Sequence, residues 1–267
     1  MCTIEDEAFE IDVDYYHMPR RAGMQEKDFK RSNLHWHLPV QQAALILVDM
    51  WSEHYVLSHL ARGQQITTER IVPLLETFRR VGATVVNAPS PGCAPRYEHL
   101  LTRVDGTLAG TAVPPSAPKL LPDWPPKEFR NKTGAFASLG KPVDPKDEEF
   151  DRIIAERSMI PEVEPHETDC VVFTGDQLHS VLRDRGATTL FYVGFAANFC
   201  VPNRDYGMRA MGGRGYDIVL VRDCTAAIEV ADSVDGLRLT AAAVQDVETV
   251  IGYSIDSQGL RQGAPAA

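Results

Sequence analysis

Apolar and polar positions along the chain alternate between two rhythms. The stretch AALILVDM (43–50) is a near-continuous apolar run, the pattern of a parallel strand covered on both faces. TTERIVPLLETFRRVG (67–82) has helical spacing, threonines at its start and a glycine at its end, and predicts a helix. ATVVNAPS (83–90) reads as a second strand, which completes a β–α–β unit. The rhythm resumes with a strand at DCVVF (169–173), a helix at DQLHSVLRDRG (176–186) and a strand at TTLFYVGF (188–195). A helix over about 200–213, a strand at YDIVLVRD (216–223), a helix over 236–245 and a strand at ETVIGYS (248–254) follow. Six strands alternating with helices predict an α/β, doubly wound, mainly parallel six-stranded sheet with helices on both faces, a Rossmann-like arrangement.

Three segments fall outside that rhythm. The first forty residues are polar, with aromatics at Tyr15, Tyr16, Phe29 and Trp36. They predict an N-terminal arm that packs on the domain or on a partner subunit. Residues 91–165 carry most of the eighteen prolines and predict a long, partly irregular insert with a short helix at 145–157. The tail SQGLRQGAPAA is expected to be disordered or arm-like. The organisation is therefore an arm over 1–40 and one domain over 41–260, with its insert at about 91–165.

Composition narrows the function classes. A net charge of −10 argues against nucleic acid and anionic membranes as partners, since phosphate contacts need a basic patch. No run of about eighteen apolar residues is present to span a bilayer. The acidic N-terminus lacks the apolar core of a secretory signal. The five cysteines are scattered at 2, 93, 170, 200 and 224, with no CxxC or zinc spacing, which predicts reduced thiols in a cytoplasm.

Ligands of such sheets bind beyond the carboxyl ends of the strands. That rule selects Asp49, followed by Trp51 and His54, after the first strand, and Ala197, Asn198 and Cys200 after the 188–195 strand. Cys200 is either a small buried core residue or a nucleophile whose thiolate a helix N-terminus stabilises, with turn amides free to hold an oxyanion. Asp49 is either an N-cap for the next helix or a general base for the thiol. Cys2, Cys93, Cys170 and Cys224 read as structural. His35 and His37 share a face if extended, but no third ligand lies at short spacing, so no metal site is predicted. His179 sits in the first turns of a helix near the crevice, where it either satisfies local backbone or faces the site. GxGxxG, GxxxxGK[ST] and GxSxG are absent, so no nucleotide cofactor and no serine hydrolase is indicated.

Two blocks, AALILVDM with the unit that follows it and YVGFAANFCVPNRDYGMRAMGGRGYDIVLVRDCTAA, resemble the isochorismatase-like cysteine hydrolases, a family that includes nicotinamidases and carbamoyl-amide hydrolases. The resemblance implies Asp49 as the catalytic acid–base, Cys200 as the nucleophile and a cis peptide at Phe195–Ala196. It also implies an oxyanion hole from the backbone N–H groups of Ala196 and Cys200. The family's Thr-Asp inside the cysteine turn is Ala197-Asn198 here. Its lysine after the third strand has no counterpart, because no lysine occurs after Lys146. RNKTGAF, within the insert, resembles that missing motif, and offers Lys132 as the third catalytic member, with Arg130 or His179 as alternatives.

The resulting expectation is a cytoplasmic homo-oligomeric hydrolase that needs no cofactor. It would cleave a C–N bond of a small amide, imide or ureide through a thioester. Trp51, His54, Phe195, Asn198, His179 and Arg130 are the expected substrate contacts. The alternatives are a catalytically dead relative that binds a metabolite, or the family's non-covalent branch, which lacks the cysteine.

Overall fold

The computed structural model describes residues 7–104 and 124–266. Cys2 and residues 105–123 of the expected insert lie outside the described residues. The sheet has eight strands: β1 (Ala8–His17), β2 (Lys30–Pro39), β3 (Ala43–Val48), β4 (Thr84–Ala88), β5 (Cys170–Val171), β6 (Thr189–Phe195), β7 (Asp217–Ala226) and β8 (Tyr253–Ile255). Their order is β2-β1-β8-β7-β6-β3-β4-β5. The six strands β3 to β8 pair with one another in parallel, while β1 runs antiparallel to both β2 and β8.

Two strands more than the six expected come from the first forty residues. In AFEIDVDYY the buried positions alternate, with Phe9, Ile11 and Val13 inward and Glu10 and Asp12 outward. This is a period-2 strand whose acidic face masks its apolar one. The expected arm is thus a hairpin that extends the sheet. His35 and His37 on β2 pair with Glu10 and Asp12 on β1 as exposed ion pairs, and no metal-binding group is found among the described residues.

Among the described residues the α-helices are α1 (Leu57–Ile66), α2 (Val72–Arg80), α3 (Ala94–Tyr97), α4 (Lys127–Asn131), α5 (Glu148–Glu156), α6 (Gly175–Arg185), α7 (Cys200–Asn203), α8 (Met208–Gly212), α9 (Arg238–Asp246) and α10 (Ser257–Gln262). One face of the sheet buries Leu45, Leu47, Phe191 and Val193 against Leu74, Leu75 and Phe78 of α2. The other buries Ile46, Val48, Leu190 and Tyr192 against Leu178, Val181 and Leu182 of α6 and Met208 and Met211 of α8. Central strands covered on both faces explain why their sequences are continuously apolar.

Four boundaries differ from expectation. The first long helix begins at Leu57, and a π turn over Thr67–Ile71 joins α1 to α2. Thr67 does not start a helix there, because its hydroxyl donates back to the Gly63 carbonyl at 2.8 Å. The 200–213 helix is split into α7 and α8. Residues 247–251 continue α9 as a helical turn, and the strand is only Tyr253–Ile255. The tail is ordered as α10, capped by Asp256 and anchored by the fully buried Leu260.

Candidate active site

The sheet reverses its order of connection between β3 and β6, so their carboxyl ends flank a crevice. Asp49 follows β3 and the cysteine turn follows β6. Gly194 lets the two ends close up: at φ +105°, a Cβ there would lie 2.0 Å from the Val48 carbonyl. The Phe195–Ala196 peptide is cis. Asp49 itself adopts a left-handed conformation, φ +49°, which is strained for a residue other than glycine.

These constraints bring Asp49 and Cys200 together, close enough for each to shift the other's titration. Asp49 is fully buried, whereas Cys200 is half-buried. No helix begins near enough for Asp49 to cap, since α1 starts at Leu57. Its carboxylate instead accepts from Arg204 Nη2 at 2.8 Å and, more loosely, from the Tyr206 hydroxyl at 3.4 Å. The backbone N–H of Ala196 faces Cys200 Sγ. Elsewhere in the turn the Ala197, Phe199 and Val201 amides donate to the carbonyls of Ala226, Ala196 and Ala196. Asn198 pins the turn by a reciprocal pair of 3.1 Å bonds to the Ile228 backbone.

The cation at Asp49 is Arg204, and it was not foreseen. Among the described residues it alone forms an ion pair with that carboxylate. Lys132 sits in a left-handed conformation at the end of α4, with its ammonium 3.4 Å from the Phe129 ring centroid, and it makes no ion pair with Asp49. Arg130 lies within α4, also outside the Asp49 ion pair. His179 is bound to the Tyr216 hydroxyl at 2.8 Å, at the far, amino-terminal end of β7. A signal for Arg204 was present: four residues after Cys200, it falls one helical turn along the same face.

The expected low-pKa thiol is not found. Burial, then the charge of Asp49, push the Cys200 thiol up to about 12 against the opposing pull of Arg204. The four-residue α7 is too short to supply the dipole that a helix over 200–213 would have offered. Burial also raises Asp49, with Arg204 and Cys200 pulling it down. Burial thus pushes both groups toward their protonated forms, and Arg204 is the charge that opposes this at each.

Trp51, His54 and Phe195 line one small cavity of about 10 Å³ together with His59, Leu60, Gly63 and Ile160. His54 stacks on Trp51 at 4.9 Å, and the Trp51 indole N–H reaches Ser90 Oγ at 3.4 Å. His59, buried at 2% exposure, is held down to about 4 by burial and by the charges of His54 and Arg62. Burial thus biases both imidazoles toward the neutral form.

The chain matches the family model "Isochorismatase domain" over residues 43–251. No curated protein sequence matches it. Among solved structures it is similar to a cysteine hydrolase from Pseudomonas syringae pv. phaseolicola, with TM-score 0.53 and 17% identity, covering 85% of this chain and 94% of that one. It also aligns with N-carbamoylsarcosine amidase from Thermoplasma acidophilum, with TM-score 0.41 and 20% identity over 81% and 96% of the two chains. For a nicotinamidase from Staphylococcus aureus the values are 0.43 and 14% over 80% and 97%. The first of these supports the fold, and the family match spans both the Asp49 strand and the cysteine turn: the chain belongs to the isochorismatase family.

Proposed function

We propose that the protein is a cysteine hydrolase that cleaves a C–N bond of a small amide, imide or ureide through a thioester. The observation that carries this reading is the juxtaposition of Asp49 and Cys200 at the crevice, with an amide facing the sulfur. Because the thiol is held protonated, sulfur attack on the carbonyl and proton transfer to Asp49 proceed together. The N–H groups of Ala196 and Cys200 receive the oxyanion. Asp49 then passes its proton to the departing nitrogen, the C–N bond breaks, and Cys200 is left acylated. Water attacks the thioester while Asp49 takes its proton, and that proton returns to sulfur as the acid leaves. Arg204 takes the place given to a lysine by the sequence resemblance. It keeps Asp49 ionised between turnovers.

The free thiols at Cys93, Cys170, Cys200 and Cys224 accord with a cytoplasmic setting. The uncovered edge strand β2 accords with a homo-oligomer. The test is release of ammonia and carboxylate from a panel of small amides, ureas and N-carbamoyl acids. It is paired with mass spectrometry of acid-quenched protein. Turnover abolished in Cys200→Ser, with an acyl adduct on the Cys200 peptide of the parent, is the expected result. Hydrolysis that survives Cys200→Ser would remove the thioester reading.

A further inference from the structure

Arg157 stands at the junction of the insert and the crevice, just after α5. Its guanidinium lies over the Trp51 ring, 5.3 Å from Cζ to the ring centre, and beside Gly92 and the Cys93 thiol. Its charge is felt by Asp49, His54 and Cys93. Yet it has no carboxylate partner among the described residues, and its Nε is buried with no hydrogen-bond partner. Asp49, whose carboxylate feels the Arg157 charge, is already paired with Arg204. Arg62, whose charge acts on His59, likewise has a buried Nε without a hydrogen-bond partner among the described residues.

A buried N–H left without an acceptor is costly, and natural proteins leave few of them. Here two half-buried guanidiniums, Arg157 and Arg62, make no ion pair among the described residues of a chain whose net charge is −10. The imidazoles of His54 and His59 add no anion. A planar, half-buried fork over an indole is suited to bidentate contact with a carboxylate. Positive charge focused in a crevice also concentrates anionic ligands.

Resting on the hydrolase reading above, we infer that Arg157 binds the carboxylate of the substrate, with Arg62 adding to the attractive field. The scissile group then belongs to a small amido or ureido acid. A neutral amide leaves Arg157 unpaired.

The test measures binding, so it does not depend on turnover. Cys200→Ser protein is titrated calorimetrically at pH 7 with N-carbamoylglycine, an anion, and with N-carbamoylglycinamide, its neutral counterpart. The anion is expected to bind about tenfold tighter or more. Arg157→Met should collapse that difference to about twofold or less, and Arg157→Lys should retain part of it, since a point charge survives without the fork. Equal binding of the two probes by the Cys200→Ser protein, binding of neither, or an anion preference that persists in Arg157→Met would overturn the inference. Because the nucleophile is absent throughout, these outcomes are separate from the fate of the thioester, which the acyl-adduct experiment decides.

Discussion

Arg204 and Asp49 form an ion pair of 2.8 Å in which the carboxylate is fully buried and the guanidinium partly exposed. One turn of chain separates that arginine from Cys200, so nucleophile and cation ride on the same short segment while the base comes from β3. Removing the cation strips the buried carboxylate of its ion pair and leaves it, among the described residues, the long 3.4 Å bond from the Tyr206 hydroxyl. The carboxylate then answers by taking up a proton.

Arg204→Met is therefore expected to lower turnover by about a hundredfold at neutral pH. Arg204 pulls the Asp49 pKa down, so its loss moves the acid limb of the rate profile to higher pH. Arg204→Lys should restore part of the rate and move the limb back. Kinetics across pH 4 to 9 decide it; a profile left in place by Arg204→Met would remove Arg204 from the site.

Asp49→Asn should lower turnover by about a hundredfold or more, as for a lost general base. Asp49 caps no helix, so the fold is expected to persist in a thermal melt. A variant that keeps its rate would show that the thiol is deprotonated by another group.

Alkylation separates the electrostatics from the chemistry. Cys93, Cys170 and Cys224 are at most 2% exposed, while Cys200 is half-buried, so Cys200 is the first of these four to react with iodoacetamide. Its rate should keep climbing well past pH 9, since its thiol is pushed up to about 12. Asp49→Asn removes an anion that raises the thiol, so the same variant that loses turnover should alkylate faster at a given pH. Slower alkylation of Asp49→Asn would reverse the assigned sign of the coupling.

The elements that the sequence made plain are those where one rule dominates. β3 and β6 are buried on both faces, so their runs are apolar throughout, and the crevice rule then points straight at Asp49 and Cys200. β1 was obscured because each apolar residue alternates with an acid or a tyrosine, and composition hid the period. The strand at 248–254 was misplaced because Val247–Ile251 is apolar enough to read as strand, although it continues α9 as a helical turn. Arg204 was overlooked for a chemical reason. The family resemblance points to a lysine after the third strand, whereas the charge arrives on the nucleophile's own turn. Arg157 sits 108 positions from Asp49 in sequence, and only the insert's path over Trp51 brings it to the crevice.

Gly194→Ala is expected to be severely destabilising. A methyl group would sit 2.0 Å from the Val48 carbonyl, and the backbone at φ +105° disfavours any side chain. Backbone cannot yield as a flexible side chain does, so a loss on the order of 3 kcal/mol or more is expected by urea unfolding. A loss below about 1 kcal/mol would mean that β3 and β6 separate freely at this end, and that the crevice is not rigid.

The last prediction concerns Glu229, which holds the loop behind the cysteine turn. Its carboxylate accepts from the Leu239 and Thr240 amides and from the Thr240 hydroxyl, at 2.8–3.0 Å, over the first turn of α9. Thr240 Oγ1 in turn accepts from the Ala227 amide, and the next residue, Ile228, carries both bonds to Asn198. Burial works against the charge, but these hydrogen bonds outweigh it and hold Glu229 down at about 2. An unfolded glutamate titrates near about 4.3. A folded value below the unfolded one stabilises the protein fully above the unfolded value, and that contribution is lost as pH falls toward the folded value. Glu229→Gln should therefore melt below the parent at pH 7, and the gap should shrink as pH drops from about 4.5 to about 2. Paired melts across that window read the difference directly, because other acid-sensitive groups are common to both proteins. A gap that stays constant down to pH 2 would show that the carboxylate charge contributes nothing at this loop.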